Sequence, residues 1–194
     1  VPGYLGTVDY NIDNNTINGA ILDAIIVNLG TSAASSNMRG TISGNSIGTS
    51  GSFQSGSRQA NGITVDAHGN GTHTVAVTNN TIRQTFDRGI NVLANDGGGT
   101  LNITVTGNNV NHSDGANSRE GFFLNTGSTS TNVFGLVDRH TVRLDLGGAG
   151  GLANTLTHGP GAPDDFRIRQ RFESRIEMPG YGGTPFDTAA VVAY

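Results

Sequence analysis

The 194-residue chain contains no cysteine, no tryptophan and no lysine. Without cysteine there is no disulfide, no thiolate nucleophile and none of the common zinc sites. All 11 basic residues are arginine, and against 15 acidic residues they leave a net charge of −4. That balance, with no basic patch apart from one strand near the C-terminus, argues against nucleic acid as a partner. No run approaches the roughly 18 apolar residues of a membrane-spanning helix. Leu-Glu-Lys blocks that favour helices are also missing, while glycine alone accounts for 30 residues. The length suits one domain with a continuous core.

What is there is repetition. A six-residue phrase occurs four times: Ile12 to Ile17, Ile42 to Ile47, Val77 to Ile82 and Val105 to Val110. Each copy runs from one β-branched residue to another across an Asn- or Gly-Asn-bearing centre. Aligned on Asn15, Asn45, Asn80 and Asn109, the copies lie 30, 35 and 29 residues apart. Spacing of that size marks a solenoid, in which each repeat buries its apolar face against its neighbours. A second phrase follows each first one, at Ala24–Val27, Gly62–Val65, Gly89–Val92 and Gly121–Leu124. Its alternation has period two, bounded by Gly, Asn, Asp and Ser, so it reads as strand. Asparagine accepts left-handed backbone and bonds to its own chain, which suits it to the tight corner between strands. Stacked corners can form amide ladders. The expectation is an all-β, right-handed parallel β-helix with the four asparagines in one column. Ile12, Ile17, Ile42, Ile47, Ile63, Val65, Val77, Ile82, Ile90, Val92, Val105 and Val110 are expected inside.

These two phrases resemble the right-handed parallel β-helix proteins of the pectate-lyase-like superfamily, over residues 8 to 146. The segment from Phe166 to Val192 is similar to the C-terminal ends of β-helical repeat regions in large secreted bacterial surface proteins. The resemblance implies the fold. It leaves function open, because lyases, hydrolases, tailspikes and non-enzymatic adhesins share that architecture.

Coils are expected at about residues 10–38, 39–72, 73–99 and 100–130, with further strands at Val133–Val137 and Val142–Leu146. This divides the chain into coils over 1–146 and a C-terminal loop and strand extension over 147–194 packed on the solenoid. From Phe166 to Met178 apolar and charged residues alternate, predicting one long strand or two with a kink. Phe166, Ile168, Phe172, Ile176 and Met178 fall on one face. Arg167, Arg169, Arg171 and Arg175 fall on the other, with Glu173 and Glu177. That arginine row either solvates a strand, meets another copy of the chain or meets an acidic glycan. Together with the apolar Ala189, Val191, Val192 and Tyr194 it forms a candidate assembly surface.

Chemistry is harder to find. The 12 Asp and 3 Glu are scattered, and polysaccharide lyases and hydrolases need grouped carboxylates. His158-Gly159, Asp164-Asp165 and Arg167-Ile168-Arg169 echo polygalacturonase elements, but in the wrong order. His68, His73, His112 and His140 stand isolated, and Asp87-Arg88 and Asp138-Arg139 read as turn pairs. Nothing has metal-ligand or catalytic-triad spacing, so no catalytic, metal or cofactor residue is assigned. The sequence starts at Val1 with no signal peptide, which suggests a processed part of a longer secreted precursor. The expected role is a non-enzymatic structural protein of the cell surface or exterior, an adhesin segment or head-to-tail filament subunit, with surface glycans as further partners. The alternative is a carbohydrate-active β-helix enzyme or its inactive glycan-binding relative.

Overall fold

The computed structural model describes residues 6–30, 35–111, 118–127, 138–147, 152–162 and 164–178. Three short strands make one turn of the chain. The first coil is β1 (Thr7–Asp13), β2 (Thr16–Ile17) and β3 (Ile25–Leu29), and the second is β4 (Asn37–Ser43), β5 (Ser46–Ile47) and β6 (Ile63–Ala67). The third holds β7 (Thr72–Thr78), β8 (Thr81–Arg83) and β9 (Ile90–Ala94), and the fourth β10 (Thr100–Thr106), β11 (Asn109–Asn111) and β12 (Phe122–Thr126). Then come β13 (Thr141–Asp145), β14 (Thr155–Leu156) and β15 (Phe166–Gln170), and a sixth turn begins with β16 (Arg175–Glu177).

Equivalent strands pair in parallel. The first sheet runs β1-β4-β7-β10-β13-β16, the second β2-β5-β8-β11-β14 and the third β3-β6-β9-β12-β15. The fold is a right-handed parallel β-helix. Its register follows from the alternation of the sequence, because a slip of one residue would turn every buried side chain outward. Thus Ile17, Ile47, Ile82, Val110 and Leu156 stack in the second sheet. Ile25, Ile63, Ile90, Phe122 and Phe166 stack in the third, the last two with rings 5.3 Å apart. Of the residues expected inside, the ten from coils two to four are fully buried, whereas Ile12 and Ile17 in the first coil are half-buried.

Coiling continues past residue 146: β14 and β15 are the second and third faces of the fifth coil. The stretch from Phe166 to Met178 is two strands in different sheets, not one. Between them Phe172 adopts left-handed backbone (φ 51°) and is 53% exposed, so it leaves the apolar face on which alternation placed it. The expected strand Val133–Val137 lies outside the described residues, as do His112, Ala189, Val191, Val192 and Tyr194.

Candidate functional site

The corner between the first and second sheets is an amide ladder. Each rung is entered through a left-handed residue, Asn14, Gly44, Asn79 or Gly107, at φ between 57° and 64°. Only glycine and asparagine adopt that geometry readily. The next residue is the rung. The backbone N–H and side-chain Nδ2 of Asn45 both donate to Oδ1 of Asn80, at 2.9 Å each. Asn15 bonds in the same way to Asn45, and Asn80 to Asn108. Each buried Nδ2 also donates to a strand carbonyl of the preceding coil, such as Asn80 to Ile42 at 2.8 Å. The fourth rung is therefore Asn108 and not Asn109, which is exposed on β11 opposite Thr81. Asn108 in turn donates to Asn154, a fifth rung the repeat did not reveal. At the two ends the ladder is open: nothing among the described residues donates to Asn15 Oδ1 or accepts from the Asn154 N–H.

The corner leading into the third sheet holds the charge. Asp23, Asn61, Arg88 and Glu120 each stand two residues before their strand, one above another. Asp23 Oδ1 accepts from Asn61 Nδ2 at 2.9 Å and from the Thr64 hydroxyl. Asn61 Oδ1 accepts from the Arg88 N–H at 3.0 Å. The Arg88 guanidinium bridges two carboxylates, Glu120 Oε2 at 3.0 Å and Asp87 Oδ2 at 3.1 Å. Arg167 reaches Glu120 Oε1 at 3.3 Å, and Arg119 lies 3.5 Å from Asp87 Oδ1. Beneath them Phe123 is 5% exposed, with the Arg88 guanidinium 4.2 Å and that of Arg169 5.5 Å from its ring centre. Carboxylates that the sequence scatters over three coils are thus gathered. Burial opposes the Glu120 charge, but its own backbone N–H, Arg88 and Arg167 outweigh it and hold the carboxyl below its usual range. Burial pushes Asp87 up, against Arg88 and Arg119. Chemically the pair is constrained, because Glu120 is 3% exposed with both oxygens engaged and cannot meet a substrate.

The third corner, between the third sheet and the next coil, gathers histidines that read as isolated. His68 lies 3.1 Å from Asp66 and 3.4 Å from Asp96. His73 and His140 are fully buried, and neither ring nitrogen of His140 has a partner. Burial carries the His140 pKa down to about 4, despite Asp138 beside it. Asp138 Oδ1 accepts from the N–H groups of Asp96 and Gly97, and so ties the fifth coil to the fourth. Among the described residues no group of three His, Asp or Glu is placed to hold a metal ion.

The remaining candidates resolve simply. His158 Nδ1 contacts Asp165 at 2.6 Å in an exposed loop, without Asp164 joining it. Arg175 pairs with Glu177, which Arg143 also contacts, and Arg139 pairs with Glu173. Arg167 and Arg169 point outward from β15, as alternation places them. No helix of the described residues is long and apolar enough to cross a membrane. Comparison with family models, curated proteins and solved structures yields no significant match, so the fold and these three corners are what function is argued from.

Proposed function

We propose that this chain is a non-enzymatic structural module of the cell exterior, a β-helical segment that extends head to tail with further copies of itself. The observation that carries this reading is the uncovered first coil. Val8, Ile21, Leu22 and Ile26 are 46%, 63%, 61% and 52% exposed there. Ile12, Asn15, Thr16, Ile17, Ala24 and Ile25 line a shallow depression of mixed polarity around the open end of the ladder. A solenoid end with unpaired strand edges is a template for another coil. A contact of that kind is heterologous and grows without closing. The matching donor, the Asn154 N–H, which has no acceptor among the described residues, belongs to the opposite end of the ladder. Cysteine-free composition and the likeness to bacterial surface repeats support an extracellular setting.

Light scattering over a concentration series tests the reading. The expected mass rises above 20.0 kDa with concentration. Ile17→Asp, which puts a charge on the open face, is expected to abolish the rise. A monomer at all concentrations, unchanged when residues 189–194 are deleted, overturns it. A second reading, a carbohydrate-active enzyme, draws support from Asp87, whose carboxyl burial pushes above its usual range and whose side chain stays partly exposed beside Arg88 and Arg119. Release of reducing ends from polysaccharide, lost in Asp87→Asn, would favour it.

A further inference from the structure

Most guanidinium groups of this chain are neutralised in place. Arg39, Arg88, Arg119, Arg139, Arg143 and Arg175 each lie against a carboxylate. The exception is a strip on the fifth coil. Arg167 gives Glu120 one nitrogen only and keeps 46% of its side chain in solvent. Among the described residues Arg169 and Arg171 contact no carboxylate, and the Arg169 pKa is drawn down by partial burial and by the like charges of Arg171, Arg167 and Arg88. Arg58 and Arg83 also lack a carboxylate among the described residues but occur singly, in the β5–β6 loop and in β8. Arg169 is held against the Phe123 ring instead of an acid of the described residues, which fixes its position and leaves its N–H donors without an acidic partner there. Immediately after Arg171 comes Phe172, 53% exposed on a left-handed turn that holds its ring outside the core.

We propose that Arg167, Arg169, Arg171 and Phe172 form a binding strip for an acidic polysaccharide. Alternate residues of a strand project from one face about 6.6 Å apart, so Arg167 and Arg169 of β15 present forks side by side, with Arg171 immediately beyond the strand end. Each fork matches a carboxylate or sulfate with two parallel N–H donors. The exposed phenyl supplies a flat apolar face for a sugar ring. Nucleic acid fits less well. Its backbone carries a denser charge than this chain of net −4 attracts, and one exposed ring gives no succession of stacking platforms. The strip faces outward from the third sheet, and the proposal does not rest on head-to-tail assembly.

The test is fluorescence anisotropy of the full chain with labelled polygalacturonate, heparin, neutral dextran and a single-stranded oligonucleotide, at about 50 and about 200 mM salt. At least one acidic glycan is expected to bind, more weakly in the higher salt, and dextran is expected not to. The Arg169→Gln/Arg171→Gln double variant is expected to lose about tenfold in affinity, the scale of one or two charge-assisted hydrogen bonds. Arg39→Gln, a paired arginine on the first sheet, is expected to bind as the parent does. The preferred glycan then tells carboxylate from sulfate. Failure of both acidic glycans to bind overturns the proposal. So does undiminished binding by a double variant with the parent's melting curve, or tighter binding of the oligonucleotide than of either glycan. Light scattering on the same samples separates the two readings, since a monomer that binds glycan upholds the strip and removes the filament.

Discussion

Two corners of the same solenoid are held together in opposite ways. At the first, one residue type repeats, and every rung offers its neighbour the same donors and the same acceptor. At the second, Asp23, Asn61, Arg88 and Glu120 differ from coil to coil, and each bond suits only its own pair. The uniform corner is neutral and saturated, so its burial leaves few polar atoms without partners. The mixed corner buries charge, and its worth depends on each guanidinium finding its carboxylates. A repeated amide therefore gives the coil its regularity, and the mixed column gives one side of it a distinct surface. A third arrangement, the histidine corner, is buried like the first but has no bonds for His140.

The strongest way to break the comparison is to remove a middle rung. Asn80 is fully buried, donates to Asn108 Oδ1 and the Ile42 carbonyl, and accepts twice from Asn45. Asn80→Leu strands several of these groups and is expected to cost about 4 kcal/mol in denaturant unfolding. A loss no larger than that of an exposed rung would refute the ladder's role.

The histidine corner should answer to pH. His140 titrates near 6.5 when unfolded and near about 4 when folded, so the unfolded chain takes up the proton first. Stability is then full above pH 6.5 and falls as pH drops toward 4, by about 3 kcal/mol in all, with His140→Leu flattening the slope. His68 works in the other direction. Its pKa is raised by Asp66 first, against burial, so its contribution is present below 6.5 and lost as pH rises through the folded value. Unfolding midpoints measured from pH 7.5 to 4 decide whether His140 dominates.

At the mixed corner, Glu120→Gln removes the charge that both Arg88 and Arg167 contact. Asp87 still holds Arg88, so the expected loss is about 2 kcal/mol, below that of a broken buried pair. The same variant is expected to raise affinity for an acidic glycan, because Arg167 is released. The smallest effect belongs to Arg143→Ala, whose partner Glu177 keeps Arg175 in a solvent-exposed setting. It is expected to change stability by less than about 0.5 kcal/mol.

The ladder was legible because its signal is periodic: a β-branched pair brackets each corner, and the core columns repeat it. Its one misplacement came from Asn108-Asn109, two adjacent asparagines between which an interval of 29 or 28 residues does not choose. The inward Val110, in register with Ile82, does choose, by putting Asn109 beside Thr81. The charged corner was illegible for a physical reason. Its members lie 38, 27 and 32 residues apart, differ in kind, and meet only because loops of unequal length return to the same edge. Alternation from Phe166 to Met178 left one long strand or two with a kink open, because it runs unbroken through the turn at Phe172 that carries the chain from the third sheet to the first.

The ladder has one more consequence, and it concerns interchangeability. Asn45, Asn80 and Asn108 make the same set of bonds, although the chain between rungs is 35 residues in one case and 28 in the next. The corner is indifferent to how much sequence a coil carries, because surplus length leaves through the loops. Excising the third coil would set Asn45 against Asn108 with every donor and acceptor matched, and Ile47 against Val110 in the column behind. Contacts in such an array reach only the adjacent coil, and stability grows approximately by one increment per repeat. Coil number is thus a quantity this architecture can change by whole units, shortening or lengthening the molecule while each remaining corner is unaltered.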